Sequence, residues 1–263
     1  HAGRQAGRQA GRQAGRAGRK KGRQQTHSHF THNSHTMHTQ LDHIVIGATT
    51  LEQGVAWCKA TLGVVPGPGG EHLNMGTHNR LLRISSDVFP SAYLEIIAIA
   101  PHLAAPTAHP RWFDLYNPAI LASLNTHGPQ LLHWVAQTDD IQAACAATEQ
   151  LGITLGQPQA VSRMTQRGLL EWTFSINASG ERPMHGALPH LIQWADTSPV
   201  VHMPLSSVGL SSVNVSAAPD NLPLLRSCAT ALALKAVTVE QSPSAFSVQL
   251  LTPAGLVTLQ TPA

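Results

Sequence analysis

A chain of 263 residues has room for one large domain or two small ones, and 42% hydrophobic residues exclude a chain disordered throughout. The net charge of +3 is unevenly spread: eight of the 17 Lys and Arg lie in residues 1–38 with no acid among them, leaving nine basic against 14 acidic residues in the remainder. That remainder, at −5, offers no basic face for nucleic acid, and no apolar run reaches the roughly 18–20 residues that cross a bilayer.

The first residues repeat Ala-Gly-Arg-Gln, then become polar and rich in histidine (His27, His29, His32, His35, His38). Such a segment has almost nothing to bury, so residues 1–38 read as a disordered basic, His-rich tail, with Met37 near the biological start. The charged N-terminus has no apolar stretch behind it and is not a secretory signal. Cys58, Cys145 and Cys228 are odd in number and widely spaced, which favours reduced thiols and a cytoplasmic location.

From Leu41 the pattern changes. Leu41 to Gly47 reads as a strand, Thr49 and Thr50 as N-cap chemistry, and Leu51, Val55, Cys58 and Leu62 as the stripe of a helix closed by Gly63. Pro66 to Gly70 is a loop, Arg80 to Ser85 a strand, Ser86 to Pro90 a turn and Ala92 to Ala100 another strand, with an irregular stretch from Pro101 to Pro110. The pattern then restarts. Leu131 to Gln137 is a strand, Asp139 and Asp140 a cap, and Ile141 to Leu151 a helix ended by Gly152, with strands at Gly168–Ile176 and Leu188–Trp194. A third, degenerate copy starts near Leu210, with a helix through Leu224, Cys228 and Leu232 and strands at Val237–Glu240, Ala245–Leu251 and Gly255–Gln260.

The spacing supports a true repeat. His43 stands eight residues before the first apolar residue of its helix, Leu51, and His133 stands eight before Ile141; both helices end at Gly followed by a β-branched residue. Repeated units of this kind bury a face by stacking on one another. The fold class expected is α+β: repeated βαβββ modules pairing into a curved, cup-shaped mixed sheet. The organisation expected is a tail over 1–38, a paired domain over 39–200, and a partial β-α-β module over 201–263 packed on it.

Four stretches carry a resemblance: Leu-Asp-His-Ile-Val-Ile at 41–46, Asn-Met-Gly-Thr-His-Asn at 74–79, Tyr-Leu-Glu-Ile-Ile at 93–97 and Leu-Ile-Gln-Trp-Ala-Asp-Thr at 191–197. Together they resemble the glyoxalase-like domain family of the vicinal oxygen chelate superfamily, over roughly residues 41–200 and more loosely beyond. That superfamily includes glyoxalases, ring-cleaving dioxygenases, epimerases, fosfomycin-modifying enzymes and metal-free sequestering proteins. In its metal-binding members the ligands come from the first and last strands of each module. Carried over by position, the resemblance implies His43, Glu95, His133 and Gln193 as ligands of a divalent ion (Zn, Ni, Fe, Mn or Co), with Glu95 also catalytic. Mixed nitrogen and oxygen donors suit such an ion, and an open site polarises a substrate oxygen. Gln193 departs from the pattern, because an amide replaces the carboxylate usual there.

Each residue also has an ordinary reading. A histidine on a strand can be a hydrogen-bonded core residue. Glu95 can sit on a solvated strand face, but it is the most informative, because Leu94, Ile96 and Ile97 make both faces apolar and an unpartnered carboxylate there would cost several kcal/mol. Thr77, His78 and Asn79 are candidate substrate contacts or a turn held by side-chain hydrogen bonds. Arg111, followed by Trp112 and Phe113, is a candidate clamp for an anionic planar substrate or part of a packing plug. Arg163 is a candidate carboxylate or phosphate binder or a solvated cation.

The leading expectation is a metal-dependent lyase, isomerase or dioxygenase-type enzyme acting on a small oxygen-rich molecule. The alternative is a metal-free binding or sequestering protein of the same fold, and a third reading is nucleic-acid binding through the tail. Paired modules join within one chain or across a homodimer, and the sequence leaves both open.

Overall fold

The computed structural model describes residues 37–165 and 167–262. The expected tail therefore lies outside the described residues except for Met37 and His38, and these two belong to the folded body. Met37 packs on the core. The His38 N–H donates to Asp139 Oδ1 at 3.0 Å, and its ring lies 3.0 Å from Lys235 Nζ.

The first module runs β1 (Thr39–Gly47), α1 (Leu51–Leu62), β2 (Glu71–His72), β3 (Thr77–Arg83) and β4 (Tyr93–Ile99). After a linking helix, α2 (Pro118–His127), the second runs β5 (Gln130–Thr138), α3 (Ile141–Glu149), β6 (Gln157–Thr165), β7 (Gly168–Ile176) and β8 (His190–Trp194). Local chemistry sets the helix ends. Thr50 accepts from the Gln53 N–H, Asp140 accepts from the Ala143 N–H, and Gly63 closes α1 at φ 73°, a left-handed conformation that glycine adopts without strain.

The eight strands form one mixed sheet in the order β2-β3-β4-β1-β5-β8-β7-β6, in which the second half mirrors the first. Each module pairs its first and last strands in parallel, β1 with β4 and β5 with β8, and the two modules join through antiparallel β1 and β5. The sheet curves almost closed into a cup. Strand alternation divides its residues between two faces. Ile44, Ile46, Leu94, Ile96 and Trp134 face the helices, whereas Val45, Ile97, Val135, Phe174 and Ile192 line the interior with Trp112 and Phe113.

The C-terminal unit comprises β9 (Gly209–Val215), α4 (Leu222–Ala231), β10 (Val237–Val239), β11 (Phe246–Thr252) and β12 (Gly255–Gln260), in a separate sheet ordered β10-β9-β11-β12. Its pairing departs from the first two modules, because β9 lies between β10 and β11 and not beside its own last strand. Leu210, Leu225, Phe246 and Val248 enter the helix-face core, and Phe246 stacks on Trp134 with ring centres 5.5 Å apart. No helix among the described residues is long and apolar enough to cross a membrane.

Candidate functional site

The site begins with an irregularity in β1. The register against β5 shifts between Leu41 and His43, which leaves Asp42 fully buried beside its neighbour's ring. Asp42 Oδ1 lies 2.7 Å from His43 Nδ1, and Oδ2 accepts from the Trp194 indole N–H at 2.8 Å. A carboxylate at that distance requires the proton on Nδ1. Nε2 of His43 therefore points onward, to Glu95 Oε2 at 3.5 Å, while Tyr93 stacks on the ring at 4.7 Å. Burial, with Asp42 and Glu95 close by, pushes the Tyr93 phenol well above its ordinary value.

Glu95 is buried but not orphaned. Its Oε1 accepts from Asn79 Nδ2 at 2.6 Å, and Asn79 in turn accepts from the Gly70 N–H at 2.7 Å. Strand β3 thus delivers Asn79 to the interior and fixes the rotamer of Glu95. The next inward residue, Thr77, is fully buried and lies 3.0 Å from His72 Nδ1, with His72 Nε2 3.9 Å from Glu95 Oε1. Burial lowers His72 to about 4, so its imidazole is neutral at physiological pH despite the carboxylate beside it.

His43, His72, Asn79, Tyr93 and Glu95 line an inner cavity of about 50 Å³, together with Trp112, Phe113, Trp172 and Arg163. It opens past His72, Trp112, Trp172 and Arg163 into an outer groove of about 1550 Å³ between the β6–β7 hairpin, the 67–75 loop and the 195–207 segment. Arg163 stands at this opening, across the gap between the two sheet edges. Its Nη1 would lie 2.4 Å from a Cβ at Gly70, so glycine there makes room for the guanidinium. The Nε and Nη1 atoms of Arg163 and the Nε1 of Trp112 are buried with no hydrogen-bond partner among the described residues.

The other expected residues go elsewhere. His133 packs against Phe113, which stands at the cavity wall, and its Nε2 lies 2.8 Å from His190 Nδ1. Burial drives both rings down, His190 to about 3, so the pair is held neutral. Gln193 faces the helix side of β8, where its Oε1 accepts from the Ile141 N–H at 2.9 Å and helps to cap α3. His78 alternates outward between Thr77 and Asn79, and its ring lies 5.9 Å from that of His102. Arg111 packs toward Gly76 and lines neither cavity.

Of the four implied ligands, then, His43 and Glu95 face each other, His133 is engaged with His190, and Gln193 caps a helix. No group of three or more His, Cys, Asp or Glu side chains that could hold a metal ion is present among the described residues. The donor set therefore does not fit the four-ligand ion that the resemblance implies. The reason for Gln193 is simple: on a strand, neighbours alternate faces, and Ile192 takes the inner one.

Comparison with known proteins agrees with this architecture. The family model described as "Glyoxalase-like domain" matches residues 41–226. The chain belongs to the glyoxalase-like domain family. No curated protein matches it. Among solved structures, a hypothetical protein from Staphylococcus aureus aligns at 14% identity over 85% of this chain and 88% of that one, with a TM-score of 0.51. A methylmalonyl-CoA epimerase variant of Streptomyces coelicolor in complex with 2-nitronate-propionyl-CoA aligns at 19% identity, 59% and 97% coverage and a TM-score of 0.37. The Mycobacterium tuberculosis methylmalonyl-CoA epimerase gives 14%, 62%, 91% and 0.36. Of these likenesses, that to the Staphylococcus aureus protein concerns the fold alone.

Sequence reasoning missed Asp42, His72, Tyr93 and His190. Asp42 and Tyr93 stood inside the stretches that carried the resemblance, one residue from His43 and two from Glu95. His72 gave no signal, because β2 is only two residues long.

Proposed function

We propose that this glyoxalase-like protein is an acid–base enzyme that moves a proton on the carbon beside a carbonyl group of a small oxygen-rich molecule, an isomerase or lyase chemistry in which Glu95 and His43 act directly. The observation that carries the reading is the buried pair itself, with Glu95 Oε2 and His43 Nε2 3.5 Å apart at the floor of a cavity. With the Nδ1 proton committed to Asp42, the other nitrogen and the carboxylate would confront one another as two lone pairs. A proton placed between them would serve both, and a pair that shares a proton can take one and give one.

In the reaction the substrate C–H bond breaks toward a carboxylate oxygen of Glu95, and the electron pair moves to the carbonyl oxygen. Protonated His43 hydrogen-bonds that oxygen as its charge develops, in a site where aromatic walls keep water out. Asp42 keeps the imidazole in one orientation and offsets its positive charge, as a positioning residue. Asn79 does the same for Glu95. Return of the proton by Glu95 to the adjacent carbon of an enediolate, on the same face, gives an isomer; loss of a group from the neighbouring carbon gives an alkene. Neither route draws on Gln193 or His133.

A second reading, a metal-free sequestering protein, is supported by the aromatic walls and the large outer groove. Three buried thiols, with Cys58 and Cys145 each pushed up to about 11 by burial, are unreactive and suit a cytoplasmic protein. The two readings separate in heavy water containing a chelator. Wild type should incorporate deuterium beside the carbonyl in members of a panel of 2-oxo acids and 1,3-dicarbonyl acids, and Glu95→Gln should not. Binding without deuterium uptake, unaffected by Glu95→Gln, would favour sequestration.

A further inference from the structure

The inner cavity is too small for a whole metabolite. About 50 Å³ of accessible space holds roughly three to five waters at roughly 10–15 Å³ each, or a carboxylate with the carbon that bears it. Anything larger must extend past Arg163 into the outer groove. Two features of that exit are unspent. The first is the set of buried, partnerless N–H groups, Arg163 Nε and Nη1 and Trp112 Nε1, on two residues that line both the inner cavity and the groove. Donors buried without acceptors are costly, and a guanidinium edge is shaped for a two-oxygen anion. Arg163 takes part in no ion pair among the described residues, so its charge is free for a ligand.

The second feature is the rim. Ten large apolar side chains are strongly exposed among the described residues, and five of them, Val65, Leu73, Met164, Leu169 and Leu205, line this one groove. Leu205 is 80% exposed and Met164 75% exposed. Scattered apolar residues are ordinary on a surface; a concentration around the mouth of a polar-floored cavity marks a place where apolar matter is bound.

We infer that the ligand is an amphipathic carboxylic acid: its carboxylate sits on Arg163 and Trp112 at the neck, and its apolar body lies along the outer groove. The inference rests on the reading of Glu95 and His43 as the reacting pair only in taking the acid as substrate; the binding claim stands apart from catalysis. The placement gives each region of the site one task. The neck holds the charged end, and the groove sorts by length and hydrophobicity.

The test is calorimetry on the full chain with acetate, butyrate, hexanoate, octanoate and 1-octanol, with tryptophan fluorescence as a second signal from Trp112 and Trp172. Affinity should rise roughly two- to fourfold per methylene from butyrate to octanoate, as burial of alkyl surface requires. Arg163→Gln should weaken octanoate at least tenfold, Arg163→Lys should fall between, and 1-octanol should bind far more weakly than octanoate and ignore both changes. The double substitution Met164→Ser and Leu169→Ser, on exposed positions, should flatten the chain-length dependence while leaving acetate unchanged. Glu95→Gln should bind octanoate at least as well as wild type while losing deuterium exchange, so failure of the catalytic reading is visible separately. The inference is overturned if octanol binds as well as octanoate, or if Arg163→Gln leaves octanoate affinity intact. It is also overturned if sedimentation shows a dimer that the double substitution dissolves while octanoate affinity stays unchanged, since the rim would then serve a second copy of this chain.

Discussion

Lowering the pH from 7.5 to 5.0 should unfold a large fraction of this protein's stability through its buried imidazoles. Burial holds His72 at about 4 and His190 at about 3, while both titrate near 6.5 in an unfolded chain. Below pH 6.5 the unfolded state binds protons that the folded state refuses. Stability is therefore full above 6.5 and is lost as the pH falls toward 4 and 3. Each group costs up to about 1.4 kcal/mol per pH unit within that window, so the two together remove roughly 4 kcal/mol between pH 7.5 and 5.0. His133, lowered by burial and by His190, adds to the loss. Against a typical domain stability of about 5–15 kcal/mol, this decides whether the protein stays folded. Urea unfolding at pH 7.5, 6.5, 5.5 and 5.0 measures it. His190→Gln leaves His133 a hydrogen-bond partner and removes one titrating group, so the slope below pH 6.5 should shrink by about 1.4 kcal/mol per unit even if the variant starts less stable. Stability that stays flat from pH 7.5 to 5.0, or a slope that His190→Gln leaves unchanged, would refute the reasoning.

Other consequences are simpler to read. Gln193→Leu removes the side-chain acceptor for the Ile141 N–H and should cost about 1 kcal/mol, seen as a fall of a few degrees in Tm, with deuterium exchange unaffected. Gln193→Glu should raise Tm slightly, since a negative charge at the start of α3 gains about 0.3–1 kcal/mol. Asn79→Ala strips Glu95 Oε1 of its 2.6 Å donor; it should cost roughly 1–3 kcal/mol and slow exchange, mainly through kcat. Phe246→Ala empties the ring-stacking site on Trp134 and should cost about 3–5 kcal/mol in one cooperative transition, because the C-terminal unit shares the helix-face core. A separate early transition would mean that the C-terminal unit folds by itself.

Much of the fold was legible because strands and helices with one buried face must show period in sequence. The helix at Leu51–Leu62 matches the structure at both ends, and the strand expected at Leu41–Gly47 matches at Gly47 and starts two residues earlier, at Thr39. Elements without a buried apolar stripe escaped. Strand β6 is an edge whose residues are mostly exposed, and α2 buries only Leu124, although Asn117 followed by Pro118 is a helix-start signal. The site was half legible. His43 and Glu95 stand out because a histidine and a carboxylate in apolar strands need partners. The partners Asp42 and His72 depend on a register shift in β1 and on the approach of β2, and neither leaves a mark in the sequence; Asn79, expected as a substrate contact, holds Glu95 instead. Gln193 and His133 misled for a related reason: equal sequence position in a repeat does not ensure equal facing or equal company once Phe113 occupies the interior between modules.

We propose that Glu95 and His43 work as a proton-sharing pair and not as ligands of a protein-held metal. Calorimetric titration of the chelator-treated full chain with Zn²⁺ or Ni²⁺, beside Glu95→Gln, tests it most directly. Any binding by the histidines of residues 24–38 is common to both proteins, so the comparison isolates the cup. The two isotherms should superimpose. A stoichiometric site in the wild type that disappears in Glu95→Gln would contradict the account.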